Sequence, residues 1–160
     1  MAVRSVVVAG LIAATLGGVA LAASKTFPAP SGWDAIQQST PPGSQTTYQG
    51  WKLHSGDLMQ TVTVIDDPSQ PYADVVARIH KNLVENKFKV NADKDQPCNG
   101  ETGHLFSMVY GPDIKRIAVY RLLVPDGPGS IQITYMRPEP EPAAGEVKAG
   151  VNSYCGTTVM

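Results

Sequence analysis

The chain has 160 residues, 42% of them apolar and 17% charged, with 13 Lys and Arg against 14 Asp and Glu. A net charge of -1 excludes the basic footprint of a nucleic-acid-binding protein, and this apolar content excludes wholesale disorder. Two cysteines are too few for a disulfide-dense scaffold or a cysteine-rich zinc module.

The first stretch, MAVRSVVVAGLIAATLGGVALAAS, reads as an export signal. Arg4 and the terminal amine form a short positive region, an apolar run extends from Val6 to Leu16, and Ala20-Leu21-Ala22 is a small-x-small cleavage pattern. Cleavage is expected before Ala23. The alternative is a retained membrane anchor over Val6–Ala23, at the short edge of the spanning range and diluted by Gly10, Gly17, Gly18 and Thr15. The expected organisation is a signal peptide over 1–22, an irregular segment over 23–45, one α+β domain over 46–156 and a tail over 157–160. The mature chain should therefore be exported, to the periplasm or outside the cell.

In an oxidising compartment Cys98 and Cys155 have a single intramolecular pairing open to them. A bridge between them would stabilise the fold by about 4 kcal/mol in the chain-entropy model. Free buried thiols and an intermolecular link are the alternatives. No C-x-x-C spacing is present to support a redox role.

Along the mature chain, residues 24–47 are rich in Pro, Ser, Thr and Gly and read as irregular or as a short edge element, with Trp33 and Ile36 plugging it onto the body. TTYQGWKLH and LMQTVTVI alternate about a Ser55-Gly56-Asp57 turn and predict an antiparallel hairpin. DDPSQPYADVVARIHKNLVENKF follows as a helix, with Ser69 as its cap and Pro71 in its first turn. Tyr72, Val75, Val76, Ile79, Leu83 and Val84 supply its apolar stripe, and Asn86 suits its end. Phe88–Val90 reads as a short strand and NADKDQPCNGETG as a charged loop carrying Cys98.

Three further strands are expected at His104–Tyr110, Ile114–Val124 and Ser130–Met136, separated by Gly111-Pro112-Asp113 and Asp126-Gly127-Pro128-Gly129. RPEPEP is an extended spacer. Beyond it, Ala144, Val147, Val151 and Tyr154 or Cys155 recur at helical spacing, which predicts a short terminal helix tied down by the bridge. The fold expected from these elements is α+β, an antiparallel sheet with one long and one short C-terminal helix packed on it.

With FPAPSGW at the start and QITYMRPEP before the last helix, this element order resembles the Mog1/PsbP-like superfamily, and within it the small exported DcrB-like and PsbP-like domains. The resemblance spans Phe27 to Tyr154. It implies an α/β/α sandwich that acts in binding, scaffolding or accessory roles, and it supplies no functional residues. The Cys98–Cys155 pair is outside the pattern associated with that family.

The chain lacks a nucleophile elbow, and Ser107 lies within a strand between Phe106 and Met108. His54 and Ser55 are adjacent on a strand and so point to opposite faces. His54, His80 and His104 are far apart, and none has a partner at metal-ligand spacing. His54 and Asp57 flank one turn, which reads as a solvated hairpin end. His80 falls at the border of the helical stripe, and His104 reads as a half-buried structural residue on the side of Phe106, Met108 and Tyr110. Asp66-Asp67 and the Asp93/Asp95 pair read as capping or solvated loop carboxylates. No phosphate cradle occurs. No catalytic residue, metal ligand or cofactor is expected on these grounds.

An aromatic set remains: Trp33, Tyr48, Trp51, Tyr110, Tyr120 and Tyr135. Trp51, Tyr110 and Tyr120 are the candidates for a ligand or partner surface in a concavity beside the hairpin. The functional expectation is an exported, non-catalytic binding or accessory domain of the cell envelope. Its partner would be a protein or small molecule, with no nucleic acid and with membrane contact only if the N-terminal segment is retained. The alternatives are a small secreted hydrolase with a site assembled from distant residues and a membrane-tethered envelope protein.

Overall fold

Among the described residues, seven strands make one antiparallel sheet and one long helix crosses one of its faces. The computed structural model describes residues 27, 29–55, 58–86, 88–110, 116–138 and 154–155. In chain order the elements are β1 (Asp34–Ser39), β2 (Thr47–Ser55), β3 (Leu58–Asp67), α1 (Tyr72–Glu85), β4 (Lys89–Cys98), β5 (Glu101–Tyr110), β6 (Ile117–Asp126) and β7 (Gly129–Pro138). The sheet order is β1-β2-β3-β7-β6-β5-β4. After β3 the chain therefore crosses the sheet through α1 to the far edge, then returns strand by strand until β7 closes against β3.

The period of two decides what each face holds. Trp51, Val62, Tyr135 and Tyr120 pair successively across β2, β3, β7 and β6, so they form one row on one face. Val64, Ile133 and Leu122 form the next. This face carries the larger core, closed by Phe27, Trp33, Cys98, Tyr154 and Cys155. Its buried polar groups are paired: Tyr135 donates from its hydroxyl to Gln60 Oε1 at 2.7 Å, and the Phe27 amide donates to Gln49 Oε1 at 3.1 Å.

The opposite face packs against α1. Val75, Ile79 and Leu83 lie at helical spacing and meet Phe106, Met108, Val119 and Leu123, each full burial contributing about 1.5–3 kcal/mol. Arg78, Lys81, Asn82 and Glu85 are exposed, with Lys81 Nζ 3.7 Å from Glu85 Oε1 one turn on. Asn86 ends the helix, its amide and Nδ2 both donating to the Asn82 carbonyl.

The α+β fold with one long and one short C-terminal helix, drawn as an α/β/α sandwich, is overturned. The structure is mostly antiparallel sheet, and α1 is the only helix longer than two residues among those described. At one sheet edge Asp34–Ser39 is a strand paired with β2, the short edge element that is one of the two readings of that segment. The main difference lies at the other edge, where most of the segment read as a charged loop belongs to the ten-residue strand β4, continuous with the short strand expected before it. Strand-poor residues such as Asp, Asn and Pro are tolerated there because an edge strand needs only one hydrogen-bonded side, and charge keeps that edge from pairing with other chains.

The helix cap is Pro71, not Ser69, and no side chain caps the first turn. Ser69 instead donates from its amide and its hydroxyl to Asp67 Oδ1, at 3.0 and 2.6 Å. Val84 is 78% exposed and lies off the stripe, and Ile36 is exposed while Trp33 is buried. The signal segment 1–22, the spacer from residue 139, the terminal helix apart from Tyr154 and Cys155, the Gly56-Asp57 and Gly111-Pro112-Asp113 turns and the side chain of His54 lie outside the described residues.

Cys98 and Cys155 are joined by a disulfide with 4.5 Å between their Cα atoms. Among the described residues no helix is long and apolar enough to cross a membrane. The disulfide is compatible with an exported protein.

Candidate functional site

Three elements converge at one end of the helix-bearing face. His80 follows the buried Ile79 on α1 and so stands at the border of the stripe. On β5, His104 shares a face with Phe106 and Met108, under the helix. On β4, the register is shifted at Asn91, between Val90 and Ala92. A bulge of one residue moves every following side chain to the other face. Asp93 thereby pairs with Phe106, and Asp95 with His104, instead of pointing away from the helix.

The hairpin that makes this possible turns on Asn99 and Gly100, whose φ values are 52° and 83°. Both lie in the left-handed region that a two-residue hairpin loop of this type requires. The Asn99 side chain donates to the Tyr154 carbonyl at 2.9 Å, which joins the turn to the disulfide-linked end of the chain.

The four side chains form a connected cluster. His104 Nε2 is 2.6 Å from Asp93 Oδ1, and His104 Nδ1 is 3.1 Å from Asp95 Oδ1. His80 Nδ1 is 3.1 Å from Asp93 Oδ2, so the two oxygens of one carboxylate serve two imidazoles. A carboxylate only accepts, whereas a neutral imidazole offers one N–H. A carboxylate oxygen faces each ring nitrogen of His104, so the ring is held at both ends.

The rings are packed as well as bonded. Phe106, fully buried, meets the His80 ring edge-on at 4.9 Å and the His104 ring at 4.7 Å. The two imidazoles are 5.4 Å apart. Access is graded, since the His104 side chain is 15% exposed and that of Asp95 76%. Tyr72, at the start of α1, has its phenol pushed above the ordinary value by burial first and then by the Asp95 carboxylate. Beside the cluster, Arg121 pairs with Phe106 across the ladder. Its Nε is buried without a hydrogen-bond partner, and burial together with the Arg78 guanidinium lowers its pKa.

Chemically, the arrangement offers two ring nitrogens and a carboxylate oxygen within 4.8 Å of one another, a donor set suited to a small cation. The sequence reading placed none of these residues in a site. His80, Asp93 and His104 are scattered along the chain and come together only through the β4–β5 hairpin and the seat of α1. One signal was present in the sequence: Asn99-Gly100 is the strongest short hairpin marker, and it lies within the segment read as a loop.

Of the expected surface residues, Trp51 is 6% exposed and belongs to the larger core, where Tyr120 packs partly buried against it. Tyr120 meets the Tyr135 ring edge-on at 6.2 Å. Tyr110 pairs with Ile117 through the backbone, and its side chain lies outside the described residues.

No known protein family and no curated protein matches the chain. The fold is similar to the crystal structure of protein PA94 of Pseudomonas aeruginosa, a protein of unknown function with a suggested regulatory role, at a TM-score of 0.50 and 20% identity, over 68% of this chain and 83% of that one. At this identity the likeness reaches the arrangement of strands and helix alone.

Proposed function

We propose that the protein is an exported, non-catalytic binding domain of the cell envelope and that it holds its ligand at the His80–Asp93–His104 cluster. The observation that carries the reading is the cluster itself, built by a β-bulge, a hairpin and a helix from residues distant in sequence. Hydrogen-bonded polar groups gathered from three elements are a common way of holding a ligand. The signal-like N-terminus and the Cys98–Cys155 bond support export. A catalytic reading has less support, because the groups facing the two His104 nitrogens are carboxylates and neither is a Ser or Cys nucleophile.

Native mass spectrometry of the protein recovered from the envelope of expressing cells tests this. The expected product lacks residues 1–22, contains the oxidised cysteine pair and carries a non-covalent species that is lost in Asp93→Asn. Retention in the cytoplasm with reduced thiols would overturn the export reading. Recovery without any bound species, or with one that Asp93→Asn retains, would overturn the binding reading.

A further inference from the structure

We propose that His80 Nδ1, His104 Nε2 and a carboxylate oxygen of Asp93 form an open site for a first-row divalent transition ion of the zinc type, with Asp95 as the positioning residue of His104. This inference rests on the binding reading above and names the ligand of that same site.

The donor set comes first. Two imidazoles and one carboxylate suit zinc, nickel or copper, whereas magnesium and calcium prefer oxygen ligands throughout. The three ligand atoms lie within 4.8 Å of one another. Zinc bonds of about 2.0–2.2 Å would set tetrahedral ligands about 3.3 Å apart, so side-chain rotation of the rim-lying His80 and Asp93 closes the site. In the ion-free arrangement Asp93 bridges the two rings through its two oxygens, and an ion would sit between the same three side chains. Three protein ligands leave a fourth position for water or for a donor from another molecule.

A metal-bound histidine almost always donates its other ring N–H to a carboxylate or carbonyl, which fixes the tautomer and aims the ligating nitrogen. Asp95 Oδ1 stands 3.1 Å from His104 Nδ1, leaving Nε2 directed at Asp93 and toward His80. Phe106 packs against both rings, and the less exposed His104 keeps its orientation while the rim-lying His80 turns to meet the ion.

The test is calorimetric titration of the oxidised, folded protein with zinc chloride, and separately with magnesium and calcium chloride. The expected result is one zinc ion per chain and no response to the other two at equal concentration. His80→Gln, His104→Gln and Asp93→Asn should each weaken zinc binding more than tenfold. Asp95→Asn should weaken it by about 10–100-fold. Lys94→Gln, which alters an exposed side chain paired with Leu105 on the other face, should leave it unchanged.

Absence of zinc binding, or binding that these variants leave unchanged, would overturn the proposal. Circular dichroism checks the fold of each variant. Asp95 is exposed, so its variant keeps the test decisive if a histidine variant unfolds. Should zinc fail to bind while the envelope-derived protein still carries a species that Asp93→Asn loses, the ion is wrong and the binding reading stands. If both fail, both are withdrawn.

Discussion

Asp95 stands directly opposite His104 across the β4–β5 ladder, its Oδ1 3.1 Å from Nδ1 of the ring, and the same carboxylate acts on the Tyr72 phenol at the start of α1. The phenol is raised by two causes, burial and then Asp95. Asp95→Asn removes only the second. Tyr72 in this variant should ionise at lower pH than in the parent protein, yet still above the ordinary value of 10.0. Absorbance at the phenolate band, with Tyr72→Phe assigning the transition among the six tyrosines, checks this.

The sign for stability follows from linkage. The folded state retains the Tyr72 proton to higher pH than the unfolded state does, so this contribution is fully present below the unfolded pKa and is lost as pH rises through the folded one. Tyr72→Phe should therefore flatten the fall in stability on the alkaline side of pH 10. An unchanged alkaline limb in denaturant titrations at several pH values would refute the assignment.

The Asn99-Gly100 turn gives a second prediction. Gly100 has a φ of 83°, where a Cβ is strained whatever the space around it, and the surroundings are open. Gly100→Ala should lower stability by about 1 kcal/mol through the backbone alone. Gly100→Val should cost more, because branching at Cβ adds crowding. Urea unfolding with an unchanged m-value is the expected signature. A neutral Gly100→Ala would mean that the hairpin turns differently.

Much of the architecture was legible wherever burial imposes a period. The spacing of Val75, Ile79 and Leu83 is borne out, because one side of α1 is buried and the other wet. Ile131, Ile133 and Tyr135 do share one buried face. The other side of β7 is not wet as its alternation suggests, since Ser130 and Thr134 are buried there too. The edges were not legible by that means. In KVNADKDQPC only Cys98 is buried, so no hydrophobic period exists to be read and the charges resemble those of a loop. The site lay further out of reach, since it depends on where a bulge falls and on which helical turn overlies β5. Neither leaves a periodic trace.

Ile79 and Val84 separate the stripe from its apparent extension. Ile79 is buried against the β5 and β6 side chains, whereas Val84 is exposed to solvent. Ile79→Ala should cost about 2–5 kcal/mol, from lost burial and the cavity left behind. Val84→Ala should stay within about 0.5 kcal/mol. Thermal or denaturant melts of the two variants decide it, and similar losses at both positions would mean that α1 is rotated from its observed seat.

The disulfide closes a span of 57 residues, running from the buried end of edge strand β4 to a segment whose Tyr154 ring meets Phe27 at 5.0 Å. A link across that length restricts the unfolded chain more than it strengthens the folded one. Reduction, or Cys98→Ala with Cys155→Ala, should therefore lower stability by about 4 kcal/mol in the chain-entropy model. The m-value should rise, because an unlinked denatured chain exposes more surface. The Asn99 bond to the Tyr154 carbonyl survives the chemical change only while that segment stays docked. Amide exchange at the β4–β5 turn should accordingly quicken on reduction, with α1 less affected. A reduced protein as stable as the oxidised one would show that the end of the chain is held by packing and hydrogen bonds alone.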